Sequence, residues 1–314
     1  MRRQHGVALV VALLAVALAM VLVMSLLDRG ELTQARTSNT WRAEQSWQLL
    51  QGLEAMAQER LLADQRSSGP IDSLDEEWAK PMPPIRLPGA VLRGRMADLG
   101  GCFNINSLAP GGATDARAVA RFARLLHALH LPAEIAAQAA DDIDADSVVQ
   151  PGGGEDAAYA VWPQLSRAAN APLADIGELR RVPAMSAEAW QALAPWICAV
   201  PADQPLNLNT APAMLWLTLD DAITLPIAQQ LSRGDGAAYP DLAAVRTALS
   251  RQGFPNVDLT GYGVDSRYFL AEADISVDGI DFSYSSVLHR LPDQVRIVAR
   301  TRGHGSMPSG EANE

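Results

Sequence analysis

The N-terminal segment constrains this chain more than any other part of the sequence. Residues 7–27 form an apolar run without a charged residue, and Arg2 and Arg3 come shortly before it. About 20 apolar residues in a helix cross the ~30 Å hydrocarbon core of a bilayer. Basic residues beside such a helix stay in the cytoplasm. The sequence therefore predicts a single-pass membrane protein whose body lies outside the cytoplasm. In a Gram-negative cell this is a protein of the inner membrane with its body in the periplasm.

Three interpretations of this run are open on the residues alone. A cleaved signal peptide needs a shorter apolar stretch and a small-x-small cleavage site, and residues 24–28 provide a poor one. A plain signal anchor fits the hydrophobicity. The third interpretation is a prepilin leader, because a short basic segment that ends in Gly before an apolar helix resembles the type IV pilin pattern. That resemblance implies that prepilin peptidase cleaves between Gly6 and Val7 and leaves the helix in place.

The helical pattern continues beyond the apolar run. Leu50, Leu53 and Leu61 recur at near-helical spacing with polar residues between them, which predicts one long helix that ends near Ala63. Gly30 is a candidate kink in this helix. The second half of the helix should pack on a globular domain, since it carries large apolar side chains at core spacing.

The remaining sequence indicates strands on both sides of a long helical segment. Residues 69–88 contain five prolines and predict a loop, and residues 91–105 indicate strand segments. Residues 268–301 alternate apolar and polar side chains, with Asp278-Gly279 as the first turn. The predicted fold class is α+β, with a long N-terminal helix packed on an antiparallel sheet and a large all-helical domain inserted.

This interpretation divides the chain into six segments. They are a leader (1–6), a transmembrane helix (7–27), the first part of a pilin-like domain (28–106), the inserted helical domain (107–262), the C-terminal strands of the pilin-like domain (263–303) and a disordered tail (304–314).

The helical segment is similar to helix-hairpin-helix, or SAM-like, units, some of which bind DNA. Residues 182–185 stand where such a unit has a glycine-rich hairpin, and no basic residues flank them. The formal net charge is −11, and Lys80 is the only lysine. Phosphate binding needs clustered cations. We therefore do not expect nucleic acid as a partner.

Several segments, in order along nearly the whole chain, resemble the minor pseudopilin K family of type II secretion, also called general secretion pathway protein K. They are Asn104–Leu108, Ala140–Asp146, Gly153–Tyr159, Arg167–Leu173, Ile176–Val182, Leu206–Ala211 and the C-terminal set of Phe269, Arg290, Arg300, Arg302 and Gly303. Most pilins carry Glu at the fifth mature position, which is Val11 here, and the K type is the member of the family that lacks this Glu.

The resemblance implies an assembly protein rather than an enzyme. It implies a subunit at the tip of the type II pseudopilus that is needed for protein export, with the I and J minor pseudopilins as partners. The alternative is a membrane-anchored periplasmic binding or adhesin subunit of a type IV pilus system. No nucleophile elbow, P-loop or His-Glu-x-x-His motif occurs in the sequence. An acid-pair hydrolase built on Asp144 and Glu155 is a third interpretation.

Four carboxylates make the helical segment a candidate metal site. Asp144, Asp146, Glu155 and Asp156 lie within thirteen residues around a Pro-Gly-Gly-Gly turn. Such oxygen ligands suit Ca²⁺, which accepts 6–8 oxygens in flexible geometry. A solvated acidic loop is the alternative, and the K-family resemblance, which implies structural calcium, favours the metal. Asp142 stands where that family has an aromatic residue.

The two cysteines, Cys102 and Cys198, lie far apart in the sequence. They form no C-x-x-C motif, so the sequence shows no zinc or redox signature. In an oxidising compartment they could pair in a disulfide, and otherwise they could be two buried thiols.

Overall fold

The computed structural model describes residues 5–67, 69–160, 167–233 and 237–305. Its longest element is helix α1, His5–Ser67. The helix is continuous through Gly30, so the expected kink is absent there. Pro70 follows the end of α1 and is the first proline of the chain. A helix seldom continues through proline, which lacks the N–H donor.

Strands and short helices follow α1. The strands are β1 (Ile85–Leu87), β2 (Ala90–Asp98), β3 (Phe103–Asn104), β4 (Ile197–Cys198), β5 (Leu206–Asn207), β6 (Tyr262–Gly263), β7 (Tyr268–Val277), β8 (Ile280–Leu291) and β9 (Gln294–Arg302). The other α-helices are α2 (Ala116–Ala128), α3 (Glu134–Ile143), α4 (Asp156–Tyr159), α5 (Ala187–Leu193), α6 (Ala213–Trp216), α7 (Leu225–Arg233) and α8 (Leu242–Arg251). Short 3₁₀ helices lie at Glu77–Ala79, Ile105–Leu108, Pro110–Gly112, Ile176–Arg181 and Ala194–Trp196.

Five of the strands form one antiparallel sheet in the order β1-β2-β7-β8-β9. The turn between β7 and β8 is Asp278-Gly279, and both residues have positive φ, 48° and 80°. Two-residue hairpins favour this conformation, in which Gly carries no steric cost. The predicted turn thus sets the register of the hairpin, from Val277 opposite Ile280 to Tyr268 opposite His289.

Helix α1 covers one face of this sheet and runs in the same direction as β2. Leu50 and Leu53 pack with Ala90 and Ile275, near the start of β2. Leu61 packs further along with Trp78, Met96 and Phe269. Full burial of a leucine side chain contributes about 1.5–3 kcal/mol. The spaced leucines therefore attach the second half of α1 to the sheet, and the predicted α+β fold class is confirmed.

The first half of α1 projects beyond the sheet. Arg42 pairs with Asp278 at 3.5 Å, at the point where the helix leaves the β7–β8 turn. Before this point the apolar side chains are exposed, including Leu14 and Met24, and Trp41 is exposed as well. Within the described part of the chain, no helix is both long enough and apolar enough to cross a membrane. The transmembrane helix at 7–27 stays a prediction.

The helical segment leaves the sheet at the end of β2 and returns at the start of β7. Asp98 is paired with Phe269 in the sheet, and the Leu99 N–H donates to the Tyr268 carbonyl at 3.0 Å. The two ends of the segment therefore lie side by side. This end of the sheet is opposite the end from which α1 projects.

One local expectation from the sequence was wrong. Strand β1 lies inside residues 69–88, where the prolines predicted only a loop. Strand β3 does not continue the main sheet and pairs in parallel with β4. The two strands are separated at Gly100-Gly101, where a Cβ at Gly101 would lie 2.8 Å from Thr210 Oγ1. The chain turns there against the helical segment.

Candidate functional site

Three of the four predicted carboxylates come together where α3 ends and α4 begins. Ligand oxygens of Asp144, Asp146 and Glu155 all lie within 4.8 Å of one another. Asp144 follows the last residue of α3, and its N–H donates to the Ala140 carbonyl at 2.9 Å. Asp144 and Glu155 are buried, whereas Asp146 is exposed. The group is thus a half-open cage of oxygens.

The buried oxygens of this group lack hydrogen-bond donors. Asp144 Oδ1 and Glu155 Oε1 have no partner among the described residues. Asp144 Oδ2 accepts from Thr114 Oγ1 at 2.7 Å. Burial first, and then the neighbouring carboxylates, raise the pKa of Glu155. A cation would satisfy both oxygens and relieve the repulsion, since unpaired buried carboxylates are costly.

Asp156, the fourth predicted ligand, is not part of this group. Its Oδ1 accepts from the Ala168 N–H at 3.2 Å, and its Oδ2 lies 3.8 Å from Arg167 Nε. Asp156 is also the first residue of α4, where a carboxylate interacts favourably with the helix dipole. Its local roles in α4 account for its separate position.

Asp141 shapes the loop although it lies outside the group of three. Its Oδ2 accepts from the N–H groups of Gln150 and Gly154 at 3.1 and 2.9 Å. A Cβ at Gly153 would lie 2.0 Å from the same oxygen, so glycine is needed there. The Pro-Gly-Gly-Gly turn therefore folds around the Asp141 carboxylate.

Asp142, which departs from the K-family pattern, is fully buried and has its own partners. Its Oδ1 accepts from the Tyr159 hydroxyl and from the Ala169 N–H, each at 3.0 Å, and its Oδ2 lies 3.3 Å from Arg181 Nη2. Burial and the Asp142 charge raise the pKa of Tyr159. These contacts neutralise the extra carboxylate without a metal ion.

A second acidic group was missed from the sequence. Asp64, Asp72 and Glu76 bring carboxylate oxygens within 4.8 Å of one another, where α1 ends. The Arg290 guanidinium from β8 lies between two of them, 3.5 Å from Asp64 Oδ2 and hydrogen-bonded to Asp72 Oδ2. The Trp78 indole N–H donates to Glu76 at 2.6 Å. The group is therefore a hydrogen-bonded network around a buried guanidinium rather than a cage of oxygens alone.

The junction between sheet and helical segment has a buried polar centre at Asp98. Its carboxylate accepts from the hydroxyls of Thr210 and Ser266 at 2.5 and 2.7 Å and from Asn207 Nδ2 at 3.0 Å. The Gly100 N–H donates at 2.6 Å. Burial raises the pKa of Asp98. These donors come from both parts of the molecule, so the network fixes the helical segment on the sheet.

A disulfide joins Cys102 and Cys198, whose Cα atoms lie 5.8 Å apart. It links the chain just after β2 to β4 and packs against Leu99, Val200 and Tyr268. Disulfides persist in oxidising compartments.

The predicted processing residues lie at the start of the described part of the chain. The backbone of Gly6 and Val7 is in the first turn of α1, whereas residues 1–4 lie outside the described residues. Cleavage between Gly6 and Val7 stays a prediction. Of the tail expected to be disordered, residues 306–314 lie outside the described residues, and His304 Nε2 lies 2.9 Å from Asp274 Oδ1.

Comparison with known proteins identifies the family. Residues 101–202 match the family described as "Type II secretion system (T2SS), protein K". The type II secretion system protein K of Pseudomonas aeruginosa PAO1 is 32% identical over 98% of this chain and 95% of its own length. The chain belongs to the type II secretion system protein K family. The Pectobacterium carotovorum member is 28% identical over 96% of this chain and 97% of its own length.

A solved structure of the K family shares the fold. It is the K chain of "the GspK-GspI-GspJ complex from enterotoxigenic Escherichia coli Type 2 Secretion System", with a TM-score of 0.76, 28% identity, and coverage of 86% of this chain and 100% of that chain. The predicted membership and the role of a minor pseudopilin in type II secretion are confirmed. The K family consists of structural, envelope-associated pseudopilins and is not a family of enzymes.

Proposed function

We propose that this chain caps the tip of a type II pseudopilus and joins minor pseudopilins of the I and J types there, so that protein export can proceed. The proposal rests on one observation: the projecting half of helix α1 and the helical segment lie at opposite ends of the sheet. Helix α1 leaves at the Asp278 turn, and the helical segment leaves at Asp98. If filament subunits stack along their N-terminal helices, the helical segment occupies the space that the next subunit would need.

Gold labelling tests the position in the filament. A C-terminal epitope on the full chain should give one gold particle at one end of each pseudopilus in electron micrographs. The matched control is the same epitope on the major pseudopilin, which should label the whole length. Label from this chain along the filament would contradict a capping role.

The proposed partners follow from the solved relative, which is a complex of K, I and J chains. The structural alignment with this chain extends over the whole K chain of that complex. We expect the full chain, solubilised in detergent, to co-purify with co-expressed I and J pseudopilins. Recovery of the chain alone, beside folded I and J subunits, would contradict the partnership but would leave the labelling result unaffected.

Membrane insertion before assembly is supported by the N-terminal residues. The exposed apolar side chains of α1, such as Leu9 and Met20, need an apolar environment, and Arg2 and Arg3 favour a cytoplasmic N-terminus. Mass spectrometry of the N-terminal peptide should give a mature chain that begins at Val7 only in cells with prepilin peptidase. An intact leader in both strains would contradict processing.

Calcium is the cofactor that the acidic group fits best. Asp144, Asp146 and Glu155 would hold the ion through carboxylate oxygens alone, the donor type that Ca²⁺ prefers. The two orphaned oxygens of Asp144 and Glu155 support the fit. A bound ion would neutralise the carboxylates and brace the loop between α3 and α4.

Thermal unfolding with and without calcium tests this site. Calcium at about 100 times its Kd should stabilise the full chain by about 2.7 kcal/mol, because it binds the folded state alone. The double variant Asp144→Asn with Glu155→Gln should lose this increment. Asp156→Asn is the matched control and should keep it. An equal calcium increment in all three proteins would place the ion elsewhere.

A further inference from the structure

A cleft in the helical segment contains an arginine for which the described residues provide no hydrogen-bonded acceptor. The cleft has a volume of about 160 Å³ and lies between α2 and the ends of β5 and β6. Phe103, Pro205 and Leu206 give it apolar walls, and Tyr262 and Arg121 also line it. It is separate from the acidic group of Asp144, whose residues do not line it.

Arg121 lies in this cleft with most of its donors unused. Its side chain is 14% exposed, and its guanidinium carbon lies 4.6 Å from the centre of the Tyr262 ring. Its ion-pair partner is Asp258, whose Oδ2 lies 3.7 Å from Arg121 Nη2. This distance is too long for a hydrogen bond. Within the described ranges, no acceptor hydrogen-bonds to Arg121. A guanidinium offers five N–H donors, and leaving buried charged donors unpaired is costly.

The neighbouring acids are already engaged. Asp258 Oδ1 accepts from the N–H and the hydroxyl of Thr260 at 2.9 and 2.7 Å, while Oδ2 is shared with Arg117 at 4.0 Å. Asp258 is exposed, and an exposed ion pair contributes little. Asp115 caps α2 by accepting the Arg117 N–H at 2.8 Å. None of these groups supplies the in-plane acceptor that Arg121 lacks.

We propose that this cleft binds a carboxylate on a short apolar stem, with Arg121 as its charged partner. Guanidinium and carboxylate pair through two parallel hydrogen bonds. The Tyr262 ring packs against one face of the guanidinium. Phe103 and Leu206 provide apolar surface for the stem. The rim carboxylates, which include Asp203 paired with Arg267 at 2.6 Å, disfavour a dianion such as phosphate. A chain terminus or an acidic side chain of another protein would carry the required group.

Titration of the full chain in detergent micelles tests the proposal. Arginine is labelled with ¹⁵N, and the Nε–Hε resonance of Arg121 is assigned by its loss in Arg121→Gln. The probes are N-acetyl-alanine for a terminal carboxylate and N-acetyl-aspartate α-amide for an acidic side chain. N-acetyl-alanine amide is the neutral control. A saturable shift with either carboxylate and none with the amide supports the site, and the tighter probe identifies the source.

A matched pair of variants makes the test specific to Arg121. Asp258→Asn should tighten binding about threefold, since it removes a carboxylate that competes for Arg121. Arg86→Gln, at an exposed arginine of β1 that does not line the cleft, should change the affinity less than about twofold. The proposal is overturned if the Arg121 resonance of the wild-type chain does not shift up to ~50 mM carboxylate, or shifts equally with the amide or with sodium chloride.

Discussion

Replacing Asp72 by Asn should change how the stability of the protein depends on pH. Burial raises the pKa of Asp72 from 3.8 to about 7, although Arg290 opposes the shift. Between these values the folded state holds a proton that the unfolded state releases. The stabilisation is complete below pH 3.8 and is lost as the pH rises through about 7. Each pH unit in this window costs about 1.4 kcal/mol, so about 3 kcal/mol is lost between pH 4.5 and 7.

Urea unfolding of the full chain in detergent, followed by circular dichroism, measures this effect. The free energy of unfolding of the wild type minus that of Asp72→Asn should fall by about 3 kcal/mol from pH 4.5 to 7, because Asn does not titrate. Leu74→Ala, at an exposed neighbour, is the control and should give a difference that does not change with pH, because neither side chain titrates. A flat difference for Asp72→Asn would refute the reasoning. A rising difference would mean that the Arg290 charge outweighs burial.

Two further predictions concern glycines and the disulfide. Gly100→Ala should destabilise the protein by about 1–3 kcal/mol, since its Cβ would lie 2.2 Å from the buried Ser266 Oγ. Gly52→Ala, a helical glycine with nothing within 4 Å, should gain up to about 1 kcal/mol in the same urea assay. Replacing Cys102 and Cys198 by Ala should cost about 4 kcal/mol, because the bond spans 96 residues. Equal midpoints for wild type with and without reductant would contradict the last estimate.

The elements that sequence could predict are those with a local signal. Leucines at helical spacing predicted the second half of α1, and Asp278-Gly279 predicted the β7–β8 turn. Strand β1 has only three residues, too few for a period-two pattern, and it lies among prolines. Its pairing with β2 is decided by the sheet rather than by its own sequence.

The candidate site was predictable only in part for the same reason. Close spacing in the sequence predicted that Asp144, Asp146 and Glu155 lie together. Spacing alone could not show that Asp156 instead contacts Arg167 and Ala168. The second acidic group has a similar local signal, three carboxylates between Asp64 and Glu76. Its hydrogen-bonded partner, Arg290, is 218 residues from Asp72 and could not be assigned without the fold.

The side-by-side ends of the helical segment have a consequence for the order of folding. Strand β2 can pair with β7 only after the chain between them has returned to its starting point. If residues 99–267 were still unfolded, closing this loop would cost about 4–5 kcal/mol of chain entropy. A folded segment already holds Leu99 against Tyr268 and removes that cost. Synthesis also delivers β7 after the helical segment, so the helical segment should fold first and then bring β7 beside β2.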